Sequence, residues 1–203
     1  MTVPDLHNRD LLTILGALNA RGLASSADLQ TATGKSQATV SRLLQAVQGQ
    51  VLSLGQGRSR LYGMAAPIRG LPAQQPVFWV DETGRMNEVG RLSMLANQTL
   101  HLNIKQQTWV TQKTLPWILA PVRAQGFLGR LLAKHLHSSG LPSDPDQWGL
   151  ESILFAALHT PDAPGALIVG EPTTLATGPI LPHALENKLA ALDLAAQTVA
   201  QTL

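Results

Sequence analysis

The sequence predicts an α+β protein: an N-terminal winged helix-turn-helix, a small mixed strand/helix domain, and a C-terminal helix. Three observations carry this. Residues 1–64 alternate helical periodicity with polar turns and end in a basic hairpin pattern; residues 76–172 read as strands followed by helices; and Pro/Gly-rich stretches punctuate the chain at 65–75 and after Pro172. The expected divisions are therefore 1–64, a linker at 65–75 (Pro67, Gly70, Pro72), an α+β domain at 76–172 and a tail at 173–203.

The first unit can be read residue by residue. Leu11, Leu12, Ile14, Leu15 and Leu18 recur at helical spacing, and Gly22 closes that helix. Ser26 is positioned to cap a short second helix carrying Leu29 and Ala32, which Gly34 ends. Ser36 caps a third, in which Val40, Leu43, Leu44 and Val47 form the buried stripe. Two helices joined at Thr33-Gly34-Lys35 make a helix-turn-helix. Val51, Leu52 and Leu54, a turn at Gly55 and Gly57, and a return at Leu61 and Tyr62 make the wing.

Burying that stripe turns Gln37, Ala38, Ser41, Arg42 and Gln45 outward. Gln and Arg form paired hydrogen bonds to adenine and guanine edges, and Ala38 and Thr39 can touch a thymine methyl. Lys35 and the Ser36 backbone sit where a helix N-terminus meets phosphate. Arg58 and Arg60, flanking Ser59, are placed for the DNA backbone or a minor groove. From Ser25 to Tyr62 four cations face one anion, a net +3, whereas the whole chain carries only +2. The expected partner is double-stranded DNA, with a winged helix that binds protein as the alternative. A plainer reading of each residue also stands: a solvated helix face, or a Gly-Arg hairpin of an ordinary sheet.

Composition narrows the remaining classes. Of 203 residues 44% are apolar and 14% charged, enough for packed cores and too apolar for disorder. No cysteine is present, which excludes disulfides, thiolate catalysis and cysteine-ligated zinc and fits a cytoplasmic location. No signal peptide or membrane span is expected. His135 and His137 lie about 200° apart around a helix and cannot easily share a metal. Asp144 and Asp146, among prolines, read as a turn capping the helix from Trp148. Gly126-Phe127-Leu128-Gly129 lacks the Lys-Ser/Thr ending of a phosphate loop. No cofactor, metal or catalytic residue is expected.

In the second unit, Pro76–Val80 reads as a strand, Asp81–Gly84 as a turn and Met86–Met94 as its partner; Thr99–Ile104, Trp109–Thr111 and Gly165–Val169 are further strands, with helices over Pro121–His137 and Trp148–His159. NEVGRLSMLANQTLHL at 87–102, LPWILAPVRAQGFLGRLLAKHL at 115–136 and GALIVGE at 165–171 resemble the N-terminal subdomain of the HipA family of bacterial toxin kinases. A kinase core follows that subdomain in full-length members, and its ATP loop and catalytic Asp/Asn segment do not occur here. The resemblance therefore implies a non-enzymatic antitoxin that represses its own operon and inhibits a separately encoded HipA-like kinase. Trp117, Phe127 and Arg130 would touch that kinase, with a core position as the alternative for the two aromatics. A transcription factor with a ligand-sensing α+β domain and the front piece of a longer HipA-like kinase stay open. Finally, Leu185, Leu189, Leu192, Ala196, Val199 and Leu203 form a heptad seam that would support a homodimer, or else pack internally.

Overall fold

The computed structural model describes residues 3–159 and 166–171. It is a mixed α+β chain with two antiparallel sheets and several helices. The expected C-terminal helix and its seam residues Leu185, Leu189, Leu192 and Val199 lie outside the described residues.

Helix α1 (Val3–Arg21) is followed by strand β1 (Ala24–Ser25), α2 (Ser26–Thr33), α3 (Gln37–Ala46), β2 (Val51–Leu54) and β3 (Leu61–Met64). The second helix is capped one residue earlier than the sequence suggests. Ser25, not Ser26, is the N-cap, because Asp28 three residues on completes a capping box: the Asp28 N–H donates to Ser25 Oγ at 3.2 Å and the Ser25 N–H to Asp28 Oδ2 at 2.8 Å. Those bonds from Ser25, with Arg21 at 3.5 Å, hold the Asp28 carboxyl below its ordinary value. Gly34 ends α2 at φ 67°, a left-handed conformation that favours glycine. Ser36 caps α3 as expected, accepting from the Thr39 N–H at 3.4 Å.

The core of this unit is Ile14, Leu18, Leu29, Val40, Leu43, Leu44 and Val51, all buried, with Val47 half-buried beside them. Strands β2 and β3 form the hairpin, paired from Val51↔Met64 to Leu54↔Leu61, and β1 adds to its other side through Ala24↔Tyr62 and Ser25↔Leu61. The sheet order is β1-β3-β2.

The second sheet runs β7-β6-β5-β4-β8, antiparallel throughout, from β4 (Gln74–Val80), β5 (Met86–Leu95), β6 (Thr99–Ile104), β7 (Gln107–Gln112) and β8 (Leu167–Val169). Its faces differ because side chains alternate along each strand. One face presents Val77, Leu92, Met94, Leu100 and Leu102 to a core completed by the segment before α4 (Gly126–His135), by α4 and α5 (Leu150–Leu158) and by the loop between them, which contribute Leu119, Ala133, Leu154 and Trp148. The helix expected from Pro121 begins at Gly126; before it, Trp117–Val122 is a 3-10 turn with Pro121 inside it.

The opposite face carries Arg91, Ser93, Thr99, His101 and Asn103, yet Ser93, Thr99 and His101 are buried. The N-terminal unit lies against this face. The Asn97 side-chain amide donates to the Ala20 carbonyl at 2.6 Å, the Ala96 N–H donates to the Met64 carbonyl at 2.8 Å, and Ala65 pairs with Leu95.

The 65–75 stretch is anchored. Ile68 is fully buried, the Arg69 N–H donates to Glu151 on α5 at 2.9 Å, and the Arg69 guanidinium donates to the Ser139 carbonyl at 2.6 Å and lies 5.5 Å from the Phe155 ring. Among the described residues no helix is long and apolar enough to cross a membrane.

Candidate nucleic-acid interface

Helix α3 buries Val40, Leu43 and Leu44 and leaves Gln37, Ala38, Ser41, Arg42 and Gln45 exposed, with Thr39 partly covered. The hairpin stands beside it. Gln37 and Ser41 of α3 and Arg60 of the hairpin line one cleft of 450 Å³ with Ser26 and Gln30 of α2, and Ser41, Gln45 and Arg60 line an adjoining cleft of 210 Å³ with Ser53. No carboxylate lines either cleft. Part of the helix face and the hairpin therefore share a lining of amides and hydroxyls with the Arg60 guanidinium.

The cations are not equally available. Lys35 Nζ sits 3.0 Å from Asp10 Oδ2 on α1, so part of its charge is neutralised within the chain. That long-range pair has no local sequence signal. Arg42 Nε makes only a long contact, 3.4 Å, to the Ala38 carbonyl, and a bond of that length is weak. Arg60 is exposed at the end of the 3-10 turn Gly57–Ser59, which also contains Arg58. The Ser36 hydroxyl both accepts from Thr39 and lies 3.2 Å from its hydroxyl, so it is occupied in capping.

Trp117, Phe127 and Arg130 are placed elsewhere, on the 3-10 turn and α4 beyond the sheet. Trp117 is 74% exposed and Phe127 68%, so neither aromatic is a core residue; Arg130 is exposed as well. The expected cap at Asp144 is present but serves a short 3-10 turn, Pro145–Gln147, rather than α5. A cleft of 860 Å³ is lined mainly by Trp79, Val89, Ile104, Trp109, Ile118 and Leu167. Among the described residues no group of His, Asp and Glu is arranged to hold a metal ion.

A second polar cleft lies where the hairpin meets the sheet. It measures 600 Å³ and is lined by Ser53, Gly55 and Gln56 on one side and by Arg91, His101 and Lys105 on the other. Burial lowers the His101 pKa from its ordinary value. Nothing local in the sequence marks this cleft, because its walls come from separate stretches of the chain, residues 53–56 and 74–108.

Comparison with known proteins bears on identity. Residues 71–177 match the family model described as the YjjJ-like toxin, middle domain. Over 156 residues, 74% of the chain, it is 31% identical to "Toxin YjjJ" of Escherichia coli (strain K12), and the match spans 34% of that protein's length. No solved structure matches the chain. These findings overturn the antitoxin expected from the HipA resemblance, and with it the roles of repressor and kinase inhibitor: family and relative alike are named as toxins. They do not support a HipA-like kinase N-terminus either. With more than half of its residues inside the matched model, the chain belongs to the YjjJ-like toxin family.

Proposed function

We propose that the N-terminal unit of this chain is a winged helix that binds double-stranded DNA, within a protein that has a toxin role. In this reading α3 enters the major groove, with Gln37, Ser41 and Arg42 toward base edges and Thr39 near a thymine methyl. The β2–β3 hairpin is the wing, and Arg60 with Arg58 meets the flanking phosphates. Lys35 and the backbone at Ser36 contribute at the start of α3, Lys35 by exchanging its bond to Asp10 for one to phosphate. The chain's part in the toxin role is DNA attachment and no chemical step.

One observation carries the reading: Gln37, Ser41 and Gln45 of α3 line carboxylate-free clefts together with Arg60 of the hairpin. A solvated helix face with an unrelated hairpin would not place the groups that read bases and the groups that grip phosphate on one surface. Two copies acting together would supply the affinity that a single unit of this size lacks at cellular salt.

Fluorescence anisotropy with labelled duplexes tests the proposal, one duplex being selected from a random library and one left random. Arg60→Ala is expected to weaken binding to both and to reduce the slope of log K against log salt by about 1. Arg42→Ala is expected to cost about 1–3 kcal/mol on the selected duplex and little on the random one. Absence of binding to any duplex at low ionic strength would overturn it.

A further inference from the structure

The cleft between the hairpin and the second sheet is unlike the rest of that sheet. Its sheet wall consists of Gln74, Arg91, Ser93, His101, Asn103, Lys105, and its lining contains no carboxylate. The neutral groups are already organised: Gln74 Nε2 donates to Ser93 Oγ at 3.1 Å, and Asn103 Nδ2 donates to Thr108 Oγ1 at 3.1 Å. Among the described residues the Arg91 side chain is tied to Glu88 alone, at 3.3 Å, and both side chains of that pair are more than half exposed. Such a pair is worth little in water and exchanges readily for another anion. Lys105 is exposed at the β6–β7 turn.

Position makes this more than a pair of surface cations. Ser53 of β2 lines both this cleft and the one shared with α3, so the hairpin is a wall common to the two. Arg91 and Lys105 line the cleft that adjoins the α3 cleft at Ser53.

We propose that the DNA-binding surface extends beyond the winged helix onto the second sheet, where Arg91 and Lys105 contact backbone phosphates of the same duplex. The proposal rests on the DNA-binding reading of the N-terminal unit and adds a second, sequence-independent contact region. The sheet contacts lengthen the footprint and raise the salt dependence, and the selected sequence stays the same.

The test compares the full chain with its Arg91→Gln/Lys105→Gln variant on random duplexes of about 12 and about 30 bp, titrated over a range of salt. On the longer duplex the variant is expected to lose about 2 from the salt slope, close to 0.9 for each phosphate contact, while on the shorter duplex the two proteins bind alike. An unchanged slope on the longer duplex, with the wild-type chain binding it, overturns the sheet contact and leaves the winged-helix reading intact. No binding by the wild-type chain overturns both. Stabilisation of the wild-type chain by inorganic phosphate that the variant loses, with DNA binding unaltered, would assign the cleft to a small anion and also overturn the proposal. Thermal unfolding of the variant within a few degrees of wild type shows that folding is retained.

Discussion

Substituting Gly22 by alanine should loosen the whole arrangement, because this glycine sits where the N-terminal unit meets the second sheet. Its φ is +78°, in the left-handed region, and a Cβ there would overlap Thr99 Oγ1, lie 2.7 Å from Thr99 Cβ and 3.1 Å from the Ala96 carbonyl oxygen. The conformation costs a non-glycine residue about 1–2 kcal/mol. Overpacking against a buried strand end adds about 1–3 kcal/mol, since Thr99 is only 3% exposed and has no room to withdraw. The total, about 2–5 kcal/mol, corresponds to a fall in Tm of about 5–15 °C for a chain of this size. Adding Thr99→Ala removes the overlapping hydroxyl, which is buried without a partner among the described residues, and should restore part of the loss. Calorimetry of the four proteins of this double-mutant cycle measures both effects, and a coupling of about 1 kcal/mol or more is expected. A Gly22→Ala protein as stable as wild type, or losses that simply add, would refute the close approach of α1's end to β6.

Two further perturbations probe other parts of the molecule. Ile68→Ala should destabilise by about 2–5 kcal/mol in denaturant unfolding, because Ile68 is fully buried; a loose linker residue would cost almost nothing. His101 has a lowered pKa from burial, so the folded state binds fewer protons than the unfolded state between its folded pKa and about 6.5. Stability from keeping it neutral is present above about 6.5 and is lost as pH falls toward the folded pKa. The Tm difference between pH 7.5 and 5.5 should therefore shrink in His101→Gln, and an unchanged difference would contradict the burial argument.

Local signals made much of the N-terminal unit legible. Gly34 and Ser36 bracket a tight turn whose chemistry is contained in a few residues, and the buried stripe of α3 follows from spacing alone. Even the one-residue shift at Ser25 has a local cause, since Asp28 is three residues from Ser25 and only two from Ser26. What stayed hidden is long-range. The two-residue β1 exists only because β3 is there to pair with it. The Pro/Gly composition of 65–75 reads as a linker, yet Ile68 and Arg69 are fixed by α5 and the loop before it. Lys35 looks like an available cation until Asp10 is placed beside it. The polar face of the second sheet has the alternation of a solvated face, and only the docked N-terminal unit explains why Ser93, Thr99 and His101 are buried. Identity failed for a related reason. Short strand and helix stretches such as 87–102 and 166–171 reflect the packing of the α+β unit and do not fix a role. The match over 71–177 carries more information than those pieces and places the chain in the YjjJ-like toxin family.

In the proposed complex, duplex DNA lies across α3 and the β2–β3 hairpin. Hydrogen exchange of the full chain, with and without a saturating duplex, locates that surface directly. Protection is expected in residues 35–45 and 53–60, with α4 and the Trp117 turn unchanged. Protection confined to α4 and that turn, or none at all with the duplex bound, would contradict it.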